Sequence, residues 1–170
     1  VHLAQRIMDD IIDLELEKID AILLKIDTDP EDGEIKLVER NLWMNIRKKA
    51  KEGRRTGIGI TAEGDMLAAL ALRYGSEEAT DFSEEVHRTV TLEAYRSSVH
   101  LARERGPFAL YSAEREKNNP LIRRIHHADP GLFEEMTTWG RRNIALLTIA
   151  PTGTTSLMTQ TTSGIEPVFM

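Results

Sequence analysis

The chain has 170 residues, 41% hydrophobic and 29% charged, which suits one soluble globular domain with a real core and leaves little room for a second. A net charge of −6 argues against a general nucleic-acid binder, which would carry a basic face, and no apolar run approaches the length of a bilayer span. Cysteine is absent, which excludes disulfides, thiolate metal sites and thiol chemistry within these residues.

The first predicted element is a long helix. Leu3, Ile7, Ile11 and Leu14 recur at helical spacing, and Ile12, Leu16, Ile19, Leu23 and Ile26 continue on an adjoining stripe, so a broad buried face is expected. Thr28-Asp29-Pro30 stops it, and Asp29-Pro30 also reads as an N-cap with proline at the first position of a second helix. That second helix has acid at its start (Glu31, Asp32, Glu34) and base at its end (Arg47, Lys48, Lys49, Lys51), which suits the macrodipole. Gly53 fits its stop, and its expected core residues are Ile35, Val38, Leu42 and Ile46.

A glycine-marked segment, Arg54-Arg55-Thr56-Gly57-Ile58-Gly59-Ile60-Thr61, comes next. A short helix around Met66-Leu67-Ala68-Ala69-Leu70 ends before Gly75. Ser76-Glu77-Glu78 caps a long helix with Phe82, Val86, Val90 and Ala94 on its buried stripe, and Gly106-Pro107 ends it. Asn119-Pro120 and Asp129-Pro130 start two more short helices, and Gly140 closes the second. The period then changes: Ile144-Ala145-Leu146-Leu147-Thr148-Ile149 is a continuous apolar run of strand length, as expected of a strand buried on both faces.

The opening Val1-His2-Leu3-Ala4-Gln5-Arg6 lacks the pattern of a secretory signal, so a cytoplasmic location is expected. It lies inside a helical stripe with no cap ahead of it, and the chain closes on the apolar run Glu166-Pro167-Val168-Phe169-Met170. One strand among several helices cannot make a sheet alone. The expectation is a fragment of a larger polypeptide, mainly α with one or two strands.

The segment after the strand, Ala150-Pro151-Thr152-Gly153-Thr154-Thr155-Ser156, carries the most chemistry. A strand running into a turn with one glycine and four hydroxyl side chains, then a helix start, can cradle an anion: amides point outward, hydroxyls add donors, and glycine lets a phosphate come close. An N-capped helix with no ligand fits the same residues.

The full string is more specific. From Asn143, through Leu146-Leu147-Thr148-Ile149-Ala150-Pro151-Thr152-Gly153-Thr154, to Ser163-Gly164-Ile165-Glu166-Pro167, it closely resembles the phosphate-loop region of ribonucleotide reductase large subunits. Upstream, Arg54-Arg55-Thr56-Gly57-Ile58-Gly59 with Gly64-Asp65-Met66-Leu67-Ala68-Ala69-Leu70 resembles a second signature of that family. Tyr95-Arg96-Ser97-Ser98-Val99-His100-Leu101-Ala102-Arg103-Glu104-Arg105-Gly106-Pro107-Phe108 resembles the helix linking the two. Two departures stand out: Glu63 replaces an apolar residue, and Thr155 an aliphatic β-branched one.

The resemblance implies that residues 1–170 are one fragment of a ten-stranded α/β barrel. Residues 1–53 would form a helical hairpin, 54–142 a helical segment, and 143–170 a strand with the substrate-phosphate loop. It puts Pro151, Thr152, Gly153, Thr154, Thr155 and Ser156 on the phosphates of a ribonucleoside di- or triphosphate. The family reaction needs a thiyl radical and a pair of thiols, so this chain alone should be inactive and no catalytic residue is assigned in it. The implied partners are the cysteine-bearing remainder of the barrel and a thioredoxin-type reductant, with no nucleic acid or membrane. The loop and the run Thr159-Gln160-Thr161-Thr162-Ser163 look most like the adenosylcobalamin-dependent class; a di-iron-partnered class is the other possibility. One half of a split reductase, or a helical scaffold without catalysis, remain alternatives.

Other constellations are weaker. Gly57-Ile58-Gly59 with Gly64 has the wrong spacing for a dinucleotide fingerprint and reads as a structural turn. Glu84 and His87 stand at i, i+3 as in di-iron helices, but such sites need two such pairs and more glutamates, so a solvated face is expected. His126, His127 and Asp129 read as surface or capping residues, and Asp9, Asp10 and Asp13 as a solvated acidic face. No metal site is assigned.

Overall fold

The structure, a computed structural model, describes residues 1–168; Phe169 and Met170 of the closing apolar run lie outside them. Among the described residues the chain is mostly helical, with one isolated parallel β-bridge in place of a sheet.

Helix α1 spans His2–Thr28 and α2 spans Gly33–Gly53. They lie antiparallel, held by ion pairs from Arg47 to Asp20 (2.6 Å) and from Arg40 to Asp27. The predicted cap at Asp29-Pro30 is corrected by the structure: Asp29 ends α1, its N–H donating to the Lys25 carbonyl, and Asp32 caps α2 by accepting from the Glu34 N–H. Reversing the chain takes the residues between the two helices, so the second cap falls three positions later than the proline suggests.

Only one of the two stripes on α1 is covered. Ile12, Ile19, Leu23 and Ile26 are buried, whereas Leu3, Ile7, Ile11 and Leu14 are exposed. The predicted core of α2 is likewise corrected: Ile35, Val38 and Leu42 are 52%, 70% and 55% exposed, and Ile46 is half-buried. The main packing of α2 is against α1, which leaves its other flank open.

The core lies further along the chain. It joins α4 (Glu77–Arg105), α6 (Pro120–Ala128), α7 (Pro130–Trp139) and the apolar run after Asn143, through Ala94, Tyr95, Val99, Ile122, Ile125, Leu132, Met136 and Leu146. A fully buried side chain such as Leu132 contributes about 1.5–3 kcal/mol over its exposed state. In α4 the burial is shifted from the predicted stripe: Phe82, Val86 and Val90 are half-buried, and apart from Ala79 the fully buried residues lie from Ala94 onward.

The helix starts follow the sequence signals. Ser76 accepts from the Ala79 N–H at α4, Asn119 precedes Pro120 at α6, and Asp129 precedes Pro130 at α7, where it accepts from the Leu132 N–H. Gly140, at φ +73, ends α7. Two short helices complete this part of the order, α3 (Glu63–Ala69) and α5 (Ala113–Glu116).

The predicted strand over residues 144–149 runs alongside residues 53–60. The two are joined by hydrogen bonds from Ile144 N to Gly53 O (2.9 Å), Thr56 N to Ala145 O (2.9 Å), Ile58 N to Leu146 O (2.8 Å) and Thr148 N to Ile58 O (2.9 Å). The expectation of burial on both faces is corrected: Leu146 is 2% exposed but Ile149 is 64% exposed. The Gly57-Ile58-Gly59 segment is therefore half of a parallel pairing, where a turn was expected. A Cβ at Gly59 would sit 2.5 Å from the Thr148 carbonyl oxygen, so the close approach of the two backbones requires glycine there. No described helix is long and apolar enough to cross a membrane.

Candidate functional site

The paired segments 53–60 and 144–149 deliver two loops to one place. Residues 61–62 lead into α3, and residues 150–152 lead into α8, which spans Gly153–Thr159. Thr152 holds a left-handed backbone conformation, φ 51 and ψ 23. For a β-branched residue this is a genuine outlier, and conformations of this kind cost on the order of 1–3 kcal/mol unless their surroundings compensate.

The surroundings do so through hydroxyls. Thr152 Oγ1 lies 2.9 Å from Thr61 Oγ1 and accepts from the Gly164 N–H at 2.7 Å. Thr61 Oγ1 in turn donates to the Thr162 carbonyl at 3.2 Å. Asp65 and Thr162 bind reciprocally: the Asp65 carboxylate accepts from the Thr162 N–H at 2.8 Å, and Thr162 Oγ1 accepts from the Asp65 N–H at 3.2 Å. The Ala62 and Glu63 N–H groups donate to the carbonyls of Thr162 and Gly164. Residues 161–164 are thus laced between α3 and the start of α8. Gly164, at φ +54 and with a would-be Cβ 3.1 Å from the Ala150 carbonyl, has a backbone that other residues adopt only under strain.

The six residues marked by the sequence fall into two groups. Pro151, Gly153, Thr154 and Thr155 are exposed. The amides of Gly153, Thr154 and Thr155 precede the first bond of the α8 ladder, which begins with Ser156 N donating to the Thr152 carbonyl. A Cβ built at Gly153 meets nothing within 4 Å, so the space beside those amides is open. Thr152 and Ser156 use their hydroxyls internally. Ser156 is buried, donates to the Gly153 carbonyl at 2.8 Å and lies 2.7 Å from Ser163 Oγ. An open cavity of about 750 Å³ adjoins the loop, lined by hydroxyl side chains, by Asp65, Gly153 and Gln160, and by the apolar Leu157, Pro167 and Val168.

A second polar cluster lies behind the paired segments, and nothing in the sequence reading marked it as a unit. Asp9 is fully buried, and its carboxylate accepts from Arg54 Nε (2.8 Å), Asn143 Nδ2 (2.9 Å), Arg105 (3.2 Å) and Arg142 (3.3 Å). Gln5, also fully buried, donates to Asn143 Oδ1 (2.9 Å) and Thr56 Oγ1 (3.1 Å). Burial pushes the Asp9 carboxyl up, but hydrogen bonds and charge from Arg54, with Asn143 and Arg142 behind it, hold it below the ordinary 3.8. Burial pulls Arg54 down, and Asp9 with Asp13 more than restores it.

The expectation of a solvated acidic face at Asp9, Asp10 and Asp13 is therefore corrected at Asp9. The three carboxylates converge within 4.8 Å, but the arginines already supply their countercharge. The available signal was Gln5 and Asp9 at i, i+4, with Ile12 three residues on, a spacing that puts all three on one face of α1.

His87 does not join Glu84; it bonds Glu63, which is 6% exposed, at 3.0 Å. The departure at Glu63 thus has a partner on α4. His126 stacks on Phe133 with ring centroids 4.1 Å apart, and Asp129 caps α7.

Residues 1–170 match the family model described as ribonucleotide reductase, barrel domain. A vitamin B12-dependent ribonucleoside-diphosphate reductase of Mycobacterium tuberculosis is 30% identical over 171 residues, covering 99% of this chain and 21% of that protein. The enzyme of the same name from Thermoplasma acidophilum is 34% identical over 125 residues, covering 73% of this chain and 14% of that protein. A ribonucleoside-diphosphate reductase subunit alpha of Treponema pallidum is 27% identical over 118 residues, 68% of this chain and 14% of that protein. The chain spans about a fifth or less of the length of these relatives.

Proposed function

The chain belongs to the ribonucleotide reductase barrel-domain family, and from that premise we propose that it is the substrate-phosphate segment of an enzyme that converts ribonucleotides to deoxyribonucleotides. The observation that carries this reading is the loop at residues 151–156: exposed amides at Gly153, Thr154 and Thr155, two exposed hydroxyls and no side chain at Gly153, all beside an open cavity. Amide and hydroxyl donors suit phosphate oxygens, which only accept. Pro151 and Thr152 set the entry to the turn, Gly153 leaves room for the anion, Thr154 and Thr155 add donors, and Ser156 braces the turn from beneath. The relatives are named for ribonucleoside diphosphates, so a diphosphate is the substrate we assign.

This chain contains no cysteine, so the thiols and the radical belong to other parts of the reductase, along with the remaining strands of the ten-stranded barrel. A thioredoxin-type protein renews the thiols, and the whole works in the cytoplasm. Two of the relatives are named as vitamin B12-dependent, which favours adenosylcobalamin, the group that would supply the radical. The cavity beside the loop mixes hydroxyl side chains and one carboxylate with the apolar Leu157, Pro167 and Val168, and nothing in it is particular to a corrin ring. No residue of this chain is therefore assigned to cobalamin.

The test is Gly153→Val in the full reductase polypeptide. A β-branched side chain narrows the backbone's choices and fills the space beside the amides. Because nothing lies within 4 Å of that Cβ, the fold should be unharmed while substrate affinity falls. Thr154→Ala should cost less, about 1 kcal/mol, since it removes one donor and keeps the amides. Unchanged affinity for a ribonucleoside diphosphate in the Gly153 variant, with the fold intact by circular dichroism, would place the phosphates elsewhere.

A further inference from the structure

We propose that Thr61 is a positioning residue of the phosphate loop, acting through Thr152; this rests on the phosphate-loop reading above. Thr61 lies outside the loop, between the 53–60 segment and α3, and is half-buried. Its hydroxyl meets three groups of the loop and its return: Thr152 Oγ1 at 2.9 Å, the Thr162 carbonyl at 3.2 Å and the Gly164 N–H at 3.3 Å.

Each threonine hydroxyl has one proton, and that fixes the direction of the chain of bonds. The Thr162 carbonyl can only accept, so Thr61 donates to it. Thr152 must then donate to Thr61 Oγ1, while its own oxygen accepts from Gly164 N–H at 2.7 Å. Both hydroxyl protons are thereby used.

The left-handed turn at Thr152, φ 51, is the last residue before the exposed amides of Gly153, Thr154 and Thr155. Its conformation decides where those amides point. A β-branched residue does not hold this conformation unaided, and the bonds of its hydroxyl to Thr61 and Gly164 are what the structure supplies to hold it. Valine at position 61 keeps the shape and removes the oxygen. Thr152 would then lose its acceptor, while the Thr162 carbonyl would keep its bond from the Ala62 N–H. The loop would stay folded, with its donors less well aimed.

The experiment uses the full reductase polypeptide, comparing wild type, Thr61→Val, Thr61→Ser and Gly153→Val. Cytidine diphosphate is titrated directly, inorganic pyrophosphate is used as competitor, and KM and kcat are measured separately. Thr61→Val should weaken both phosphate ligands about fivefold and raise KM to match, with kcat within about twofold of wild type. Thr61→Ser, which keeps the hydroxyl, should bind as wild type does. If Thr61→Val is too unstable to titrate, Thr61→Ala against Thr61→Ser in the cold reads the same hydroxyl.

Wild-type affinity in Thr61→Val beside weakened affinity in Gly153→Val would overturn the role of Thr61 and leave the loop standing. Equal loss in Thr61→Val and Thr61→Ser would also overturn it, since the hydroxyl would not be the cause. Unchanged affinity in Gly153→Val as well would remove the phosphate loop itself, and the role of Thr61 with it.

Discussion

Replacing Asp9 with asparagine keeps the shape of the side chain and removes the charge on which three arginines converge. The carboxylate is fully buried, and Arg54 beside it is 4% exposed. Removing one partner of a buried ion pair costs about 3–5 kcal/mol, because the other charge stays buried without compensation. The lower end applies here. Arg54 keeps Asp13 at 2.8 Å, Arg105 keeps Asp10 at 2.6 Å, and the side chains of Arg105 and Arg142 are 30% and 14% exposed. About 3 kcal/mol corresponds to a melting temperature lower by about 6–12 °C for a chain of this size. Thermal melts of the 170-residue chain, followed by circular dichroism, would measure it, with Asp10→Asn as the surface control expected to change stability by less than about 1 kcal/mol. A loss in Asp9→Asn of less than about 1 kcal/mol would refute the reasoning and reduce the cluster to an ordinary surface ion pair.

The same carboxylate gives a pH dependence. Its value in the folded chain lies below the ordinary 3.8, so its contribution is present above that pH and is lost as pH falls through 3.8 toward the folded value. Acid unfolding curves of wild type and Asp9→Asn should converge over that window, and a constant gap down to about pH 2 would contradict the pairing. Gly59→Ala should destabilise by more than about 2 kcal/mol in urea titrations, because its Cβ would sit 2.5 Å from a backbone oxygen, whereas Gly153→Ala should be within about 1 kcal/mol of wild type. The purified 170-residue chain should form no deoxynucleotide with any cofactor or reductant, since it holds no thiol to carry a radical; any product in that assay would overturn the chemistry.

The helix boundaries were legible where the signal is local. Ser76, Asn119-Pro120, Asp129-Pro130 and Gly140 each act within one turn, and each stands where its chemistry suggests. Asp29-Pro30 misled because a stop for one helix and a start for the next use the same residues. Burial was less legible, since a stripe such as Ile35, Val38 and Leu42 shows that a face is apolar and says nothing of whether a neighbour covers it. The loop residues carried a string specific enough to find. Thr61 and the partners of Asp9 did not, because their roles come from residues about 90 and 134 positions away in the chain.

The bond between Gln5 and Asn143 joins residues 138 apart in sequence. It cannot form until the intervening chain has condensed, and contacts of such long range slow folding because their closure entropy comes first. Asn143 leads directly into the segment that delivers the loop, and its other bonds run to Asp9, Ser98 and the Arg54 carbonyl. The helices α6 and α7, each closed by neighbours in sequence, can form early. The anchor of the 143–152 segment is complete only when the first turns of α1 dock, so the bonded amides around the loop, those of Thr148, Ser156 and Gly164, should be among the last to acquire hydrogen-exchange protection during refolding.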